Sequence, residues 1–190
     1  MKIQVKDVSK NGPLRAEYNS IYNTNNKVIV VHEAKAIPFI HEIVKEFNPE
    51  LIIELGTSWG GVTLILHECN INAKLHSYDI NCPRKPNRSM FNENVYFHIE
   101  DILSSSSNSL MNLCKDRRKK VLYCDNGNKI KEIQTYAPYL NVGDLLGVHD
   151  WDKEIRYKDV ENVLKYFKPI KHEIFEKNNW STRFFEKQME

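Results

Sequence analysis

Five short apolar runs in this chain each close on an acid: Glu54 ahead of a glycine-rich stretch, then Asp79, Glu100-Asp101, Asp125-Asn126 and His149-Asp150. One such Asp is an ordinary helix cap. Five of them point to carboxylates gathered on one edge, where they can accept hydrogen bonds from a ligand's hydroxyl and amino groups. The stretch Glu54-Leu55-Gly56-Thr57-Ser58-Trp59-Gly60-Gly61 holds three of the chain's seven glycines. Glycine lets backbone turn sharply and come close to a ligand. Three patterns can be tested on this stretch. A P-loop needs lysine where Val62 stands, so triphosphate binding lacks its charge. The dinucleotide fingerprint needs glycine where Ser58 stands, at the point where pyrophosphate presses on the backbone. The third pattern, Glu/Asp-x-Gly-x-x-x-Gly, is met in full by Glu54, Gly56 and Gly60.

The elements that must position these residues alternate strand and helix. Residues 51–55, 75–79, 95–99, 121–125 and 145–149 are short and rich in β-formers. Between them, Val62, Ile65, Leu66 and Cys69 share one helical face, Leu110, Leu113 and Cys114 a second, and Ile130, Ile133, Tyr136 and Ala137 a third. A helix over 32–47, broken by Pro49, precedes the first strand. Apolar strands joined by helical crossovers predict an α/β fold, a doubly wound and mostly parallel sheet covered on both faces. Such sheets do their chemistry at the carboxyl ends of the strands. After a helix over 159–167, the runs 170–175 and 182–186 flank Asn178-Asn179 and predict a C-terminal antiparallel hairpin. Residues 1–31 carry little pattern and are expected to form an arm or lid on a domain spanning 32–190.

The third glycine pattern is the first motif of class I S-adenosylmethionine-dependent methyltransferases, and the chain resembles that superfamily from about residue 33 to its end. The resemblance implies a Rossmann-like sheet of seven strands, the last reversed, with S-adenosyl-L-methionine as cofactor. It places Gly56, Thr57, Ser58 and Gly60 around the methionyl and ribose parts, with Glu54 suited to the amino group. Asp79, 23 residues after Gly56, would take both ribose hydroxyls. Asp101 would meet the adenine amino group, with Ile80 and Ile102 near the ring, and Asp125 would complete the cofactor residues.

Within the superfamily, the last two strands resemble the small catechol-type and cephalosporin-biosynthesis-like O-methyltransferases. In these, an acid after the fourth strand and an adjacent pair after the fifth hold a divalent ion. The matching positions are Asp125, His149 and Asp150. The family pair is usually Asp-Asn or Glu-Asp; imidazole at His149 favours Zn²⁺, Mn²⁺ or Fe²⁺ over Mg²⁺. A metal would activate and aim an acceptor hydroxyl. Three readings of His149 stand open: ligand, general base near neutral pH, or a histidine fixed at a strand end. Lys129, four residues after Asp125, is either a base of depressed pKa or a solvated lysine opening a helix. Trp59 and Trp151 flank the edge as substrate wall or as core.

These observations favour an enzyme acting on a small-molecule hydroxyl. A metal-independent O- or N-methyltransferase using His149, or a non-catalytic binding protein of the same fold, are the alternatives. Composition narrows the partners. Twenty-seven Lys+Arg against 25 Asp+Glu leave +2, too little for a phosphate-tracking protein, and Arg117-Arg118-Lys119-Lys120 is the one basic run. No apolar run nears the roughly 18 residues of a membrane span, and the first residues lack a signal peptide's apolar stretch. Cys69, Cys82, Cys114 and Cys124 form no Cys-x-x-Cys pair and read as free thiols of a cytoplasmic protein. A homodimer is an expected assembly, since small enzymes of this type often pair. The acceptor pocket is expected from residues 1–31, 81–93 and 151–157.

Overall fold

The computed structural model describes residues 3–10, 14–22, 26–81, 87–104 and 108–189. Cys82 and the basic positions Arg84 and Lys85 lie outside them. Its main sheet runs through β4 (Leu51–Leu55), β5 (Lys74–Asp79), β6 (Val95–Ile99), β7 (Lys120–Cys124), β8 (Leu145–Val148), β9 (Phe167–Ile170) and β10 (Arg183–Lys187), in the spatial order β6-β5-β4-β7-β8-β10-β9. Pairing is parallel from β6 to β8, while β10 runs antiparallel to both β8 and β9. The chain winds outward from β4 on one side and from β7 on the other. The point where strand order reverses therefore lies between these two, which is where a crevice opens in doubly wound sheets.

Alternate residues of each strand feed two cores. Ile52, Leu75, Val121, Tyr123 and Phe184 pack under α1 (Ile37–Phe47) and α2 (Gly61–Cys69). Leu51, Ile53, Leu122, Leu146 and Phe185 pack under α3 (Asn108–Lys115), α4 (Lys129–Tyr136) and α5 (Tyr157–Leu164). Three details differ from the sequence reading. The first helix begins at Ile37, not at residue 32, because Pro38 suits a first helical turn, where its missing N–H is no loss. This leaves His32 and Glu33 in an irregular turn at the sheet edge. The antiparallel C-terminal pair is present, but residues 172–177 form a short helix, α6 (His172–Lys177), instead of a strand. Its polar–apolar–apolar–polar pattern suits a helix, and His172 and Glu176 pair at i,i+4 across 2.9 Å. Pro169 sits on the outermost strand, where a missing donor is tolerated.

The third difference is at the start. Residues 4–30 contain a three-stranded antiparallel sheet, β1 (Gln4–Asp7), β2 (Ala16–Asn19) and β3 (Lys27–Val30). It packs on the outer side of α2, all nine residues of which are buried. That double cover explains why 62–66, Val-Thr-Leu-Ile-Leu, is apolar nearly all round. A buried carboxylate fastens the two parts: Glu68 accepts from Tyr18 Oη at 2.5 Å, from Ser20 Oγ, and from the Ile21 N–H at 3.1 Å. The basic run is absorbed at the opposite end of the sheet. Lys120 pairs with Asp144 at 2.5 Å inside the core, Arg118 pairs with Asp116, and Lys119 lies over Phe47. Cys69, Cys114 and Cys124 are free and buried. Among the described residues no helix is long and apolar enough to cross a membrane.

Removing Glu68 strands two hydroxyls and an amide. Glu68→Ala is expected to lower unfolding free energy by about 2–3 kcal/mol in urea titration. Amide exchange should rise in residues 16–30 more than in β4.

Candidate functional site

The loop after β4 is built on left-handed backbone, with φ of 106° at Gly56, 48° at Ser58 and 76° at Gly60. A β-carbon on Gly56 would lie 2.5 Å from the Asp125 carbonyl oxygen. Only glycine lets the ends of β4 and β7 close to this distance. Glu54, at the base of the loop, is wholly buried; its Oε2 accepts from Thr63 Oγ1 at 2.6 Å and from Ser77 Oγ at 2.5 Å. Its Oε1 has no hydrogen-bond partner among the described residues. Burial pushes the carboxyl up to about 8, against the opposing hydrogen bonds from Ser77 and Thr63. Thr57 Oγ1 joins this group at 2.5 Å from Ser77 Oγ.

Asp79 ends β5 with its carboxylate pinned: Oδ2 accepts the Ser58 N–H at 2.7 Å and Oδ1 the Asn81 N–H at 3.0 Å. Each oxygen keeps lone-pair capacity for a ligand hydroxyl. Two neighbours differ in kind. Ile80 is 59% exposed, whereas Ile102 is buried in the core, its carbonyl accepting from Tyr136 Oη. Exposed apolar surface beside Asp79 therefore comes from Ile80. Asp101 is exposed and accepts the Leu103 N–H at 3.0 Å. The enclosed part of the crevice, lined by residues 29–32, the glycine loop and Asp125, measures only about 30 Å³, the room of a water or two. The loop thus combines close backbone, no cationic side chain on its glycine turn, and a fixed carboxylate, Asp79, beside it.

On the other flank, Asp125 follows β7 and His149 follows β8. His149 Nδ1 lies 2.8 Å from Asp125 Oδ1 and 3.4 Å from Asp150 Oδ2. Its Nε2 lies 3.3 Å from Ser181 Oγ, which donates to Glu33 Oε1 at 2.7 Å. His32 stacks on His149, ring centroids 3.7 Å apart and planes 13° from parallel. Its Nε2 lies 2.9 Å from Tyr123 Oη and 3.8 Å from Asp125 Oδ2. One ligand atom each from His32, Asp125 and His149 falls within 4.8 Å of the others. Electrostatics divides the two imidazoles. Burial, then the neighbouring His149, pulls His32 down to about 4, so it is neutral. Burial also opposes charge on His149, but Asp125 outweighs it and raises the pKa above the usual histidine value. Asp125 is held below the ordinary carboxylate range in spite of burial, chiefly by His149 and then by His32.

Lys129 opens α4 with its side chain 4% exposed. Its ammonium donates to the Asn126 carbonyl at 2.8 Å and pairs with Asp150 at 3.0 Å and Glu154 at 2.8 Å. Burial works against the charge, yet Glu154 and Asp150 overcome it and raise the pKa. A base needs the opposite shift. Trp151 is core, packed on Phe185 at 5.3 Å, and the loop it opens lines a groove of about 520 Å³ with Phe167 and Pro169. Trp59 lies at the crevice under Arg15, 5.4 Å from its ring.

The site thus gathers Glu54, Gly56, Thr57, Ser58, Gly60 and Asp79 on one flank and Asp125, His149, Asp150 and Lys129 on the other. His32, Glu33 and Ser181 were not anticipated. The helix expected over 32–47 includes His32, though the β-branched run 28–31 before it and Pro38 after it mark a strand and then a turn. Ser181 precedes β10, and an antiparallel last strand necessarily starts at the edge where its parallel neighbours end.

A seven-stranded sheet in this order, with this loop at its switch point and acids at the ends of β5 and β7, is that of a class I S-adenosylmethionine-dependent methyltransferase. A family model described as Rhamnosyl O-methyltransferase/CmcI matches residues 20–161, and the chain belongs to that family. Solved structures share the fold at low identity. The apo structure of CmcI-N160 aligns over 85% of this chain and 74% of its own, with 14% identity and a TM-score of 0.63. An S-adenosylmethionine-dependent O-methyltransferase from Thermotoga maritima aligns over 92% and 78%, with 12% identity and a TM-score of 0.58. The 1,6-didemethyltoxoflavin-N1-methyltransferase of Burkholderia thailandensis, solved with bound 1,6-didemethyltoxoflavin and S-adenosylhomocysteine, aligns over 81% of this chain and 79% of its own, with 11% identity and a TM-score of 0.54. No curated protein sequence matches the chain.

The Glu54 carboxyl supplies a test of the electrostatics. Between its ordinary 4.5 and about 8 the folded chain holds a proton that the unfolded chain has released. Folding stability should therefore fall as pH rises through that window. Glu54→Gln is expected to flatten the decline in urea titrations at pH 5, 6.5 and 8; an unchanged slope would show that Glu54 ionises freely in the fold.

Proposed function

We propose that this chain transfers a methyl group to a hydroxyl of a small-molecule acceptor at the switch point between β4 and β7, with a divalent ion on the Asp125 side. The observation that carries the reading is the juxtaposition of the Asp125–His149 pair, 2.8 Å apart, with a glycine loop that suits a sulfonium nucleoside. S-Adenosylmethionine, when bound, supplies an electrophilic methyl: the acceptor oxygen forms the new C–O bond as the C–S bond breaks, its electron pair staying on sulfur. Asp79 fixes the ribose end through two oxygens whose positions Ser58 and Asn81 already hold. Gly56, Thr57, Ser58 and Gly60 orient the methionyl end, over a neutral Glu54. Ile80 covers the base and Asp101 reads its edge.

Asp125 and His149, with a third donor from the same edge, would hold the ion. A divalent ion there would lower the pKa of a hydroxyl placed against it, so that the proton leaves to solvent and the oxygen attacks the methyl group as its anion. Lys129 serves in this reading as the fixed countercharge of Asp150. In-line displacement also asks for strict orientation, and the stacked, buried imidazoles provide a rigid wall for it.

A metal-free variant rests on the same pair. Asp125 holds the Nδ1–H of His149, leaving Nε2 to take the acceptor's proton. The arrangement Ser181–His149–Asp125 has the bare order of an acyl-transfer triad, but Ser181 is buried and donates to Glu33, so it acts as an orienting hydroxyl.

Calorimetric titration with S-adenosylhomocysteine and turnover on a panel of hydroxylated acceptors test these roles. Asp79→Ala should weaken S-adenosylhomocysteine about tenfold or more through two lost hydrogen bonds. His149→Gln should leave that affinity unchanged and lower kcat by about 10²–10⁴-fold. EDTA should abolish wild-type turnover; turnover that survives EDTA but not His149→Gln would select the metal-free variant.

A further inference from the structure

We propose that the groove between the loop after β8 and the outer strands β9 and β10 is a binding site for a small aromatic carboxylate, separate from the methyl-transfer edge. The inference goes beyond the methyl-transfer reading and does not depend on it.

The groove has the dimensions and walls of a small-molecule site. Its volume is about 520 Å³, where such sites measure roughly 300–1,000 Å³ and are lined mostly by apolar and aromatic side chains. Trp151, Phe167 and Phe185 line it and are themselves buried. Pro169 and Tyr157 extend the apolar surface outward, with Tyr157 47% exposed. Four aromatic rings around one hollow favour a flat apolar body that can stack on them or meet them edge-on.

The walls are set before any ligand arrives. The Trp151 N–H donates to the Ser181 carbonyl at 2.7 Å and the Asp152 N–H to the Ile155 carbonyl at 2.8 Å, while Trp151 and Ile155 pair in an isolated bridge. Pro169 stands opposite Phe185 in the β9–β10 ladder. A preformed hollow loses little order on binding.

Charge selects the ligand's sign. Two acids line the groove and each has a partner: Asp152 lies 3.6 Å from the buried Arg183 guanidinium, and Glu176 lies 2.9 Å from His172. Two cations line it as well, Arg156 and Lys158. Both are exposed, and neither makes an ion pair among the described residues. A guanidinium offers a carboxylate two parallel N–H donors, and an apolar body seated on the rings would hold the carboxylate against these cations. Asp125, His149 and the glycine loop contribute nothing to the lining. The loop the ligand would touch also carries Asp150 and Glu154, which hold Lys129. An occupant therefore steadies the segment that borders the methyl-transfer edge without entering it.

The test is titration of the full chain with 2-naphthoate and with 2-naphthamide, its neutral counterpart, read by calorimetry and by amide chemical shifts. The acid should bind with a dissociation constant below about 1 mM and about 3–10-fold more tightly than the amide. Shifts should centre on residues 151–158, 167–169 and 185, and amide exchange in 151–155 should slow. Arg156→Gln combined with Lys158→Gln should abolish the preference for the acid, and Tyr157→Ala should weaken both probes about threefold or more. His149→Gln and saturating S-adenosylhomocysteine should leave the acid's affinity unchanged. No binding, equal affinity for acid and amide in wild type, shifts centred on 56–60 or 149, or a dimer formed through this face and separated by Tyr157→Ala would overturn the inference. Failure of wild type to bind S-adenosylhomocysteine would instead remove the methyl-transfer reading and leave this one standing.

Discussion

The structure turns on one carboxylate, that of Asp125, taken largely out of water at the point where strand order reverses. A carboxylate so placed is costly unless its charge is answered. The opposing charge comes from His149 at the end of β8 and Lys129 at the start of α4, while His32, from the turn before α1, faces the carboxylate as a neutral ring. Its own backbone carbonyl presses on Gly56. The same residue therefore locks the glycine loop to β7 and collects the polar groups of the opposite flank. An α/β sheet supplies the crevice for free; this carboxylate decides what the crevice can do.

That arrangement explains why the three-stranded sheet belongs to the site as much as to the fold. It buries the outer side of α2, and its last strand leads directly into His32 and Glu33. Glu68 clamps the sheet through Tyr18 and Ser20, at the far end of α2 from the glycine loop. The imidazole of His32 is thus positioned by contacts made well away from it. The narrow enclosed space beside Gly56 has the same origin, because residues 29–32 roof it.

Much of this was legible in the residues themselves. Apolar strands five residues long, helical faces between them and acids at their carboxyl ends carry the mostly parallel, two-sided sheet and the site's edge, because burial on both faces leaves few other arrangements. Glu54, Gly56 and Gly60 announced the loop, since the missing lysine and middle glycine removed the phosphate-binding alternatives. What stayed hidden depends on tertiary contact. Strands β1 to β3 are short and half-exposed, so they lack clean alternation; their purpose appears only against α2. The segment 172–177 holds two adjacent apolar residues, Ile174 and Phe175, that fit a strand or a helix equally well at that length. Lys129 could not be assigned without Asp150 and Glu154 beside it, because its charge state is set by partners 21 and 25 residues away.

The most direct test of the account is a crystal structure of the chain with S-adenosylhomocysteine. The ribose hydroxyls should rest on Asp79, the methionyl part on residues 56–60, and the sulfur should face Asp125 and His149. A nucleoside bound elsewhere, or lying with its sulfur turned from that pair, would contradict it.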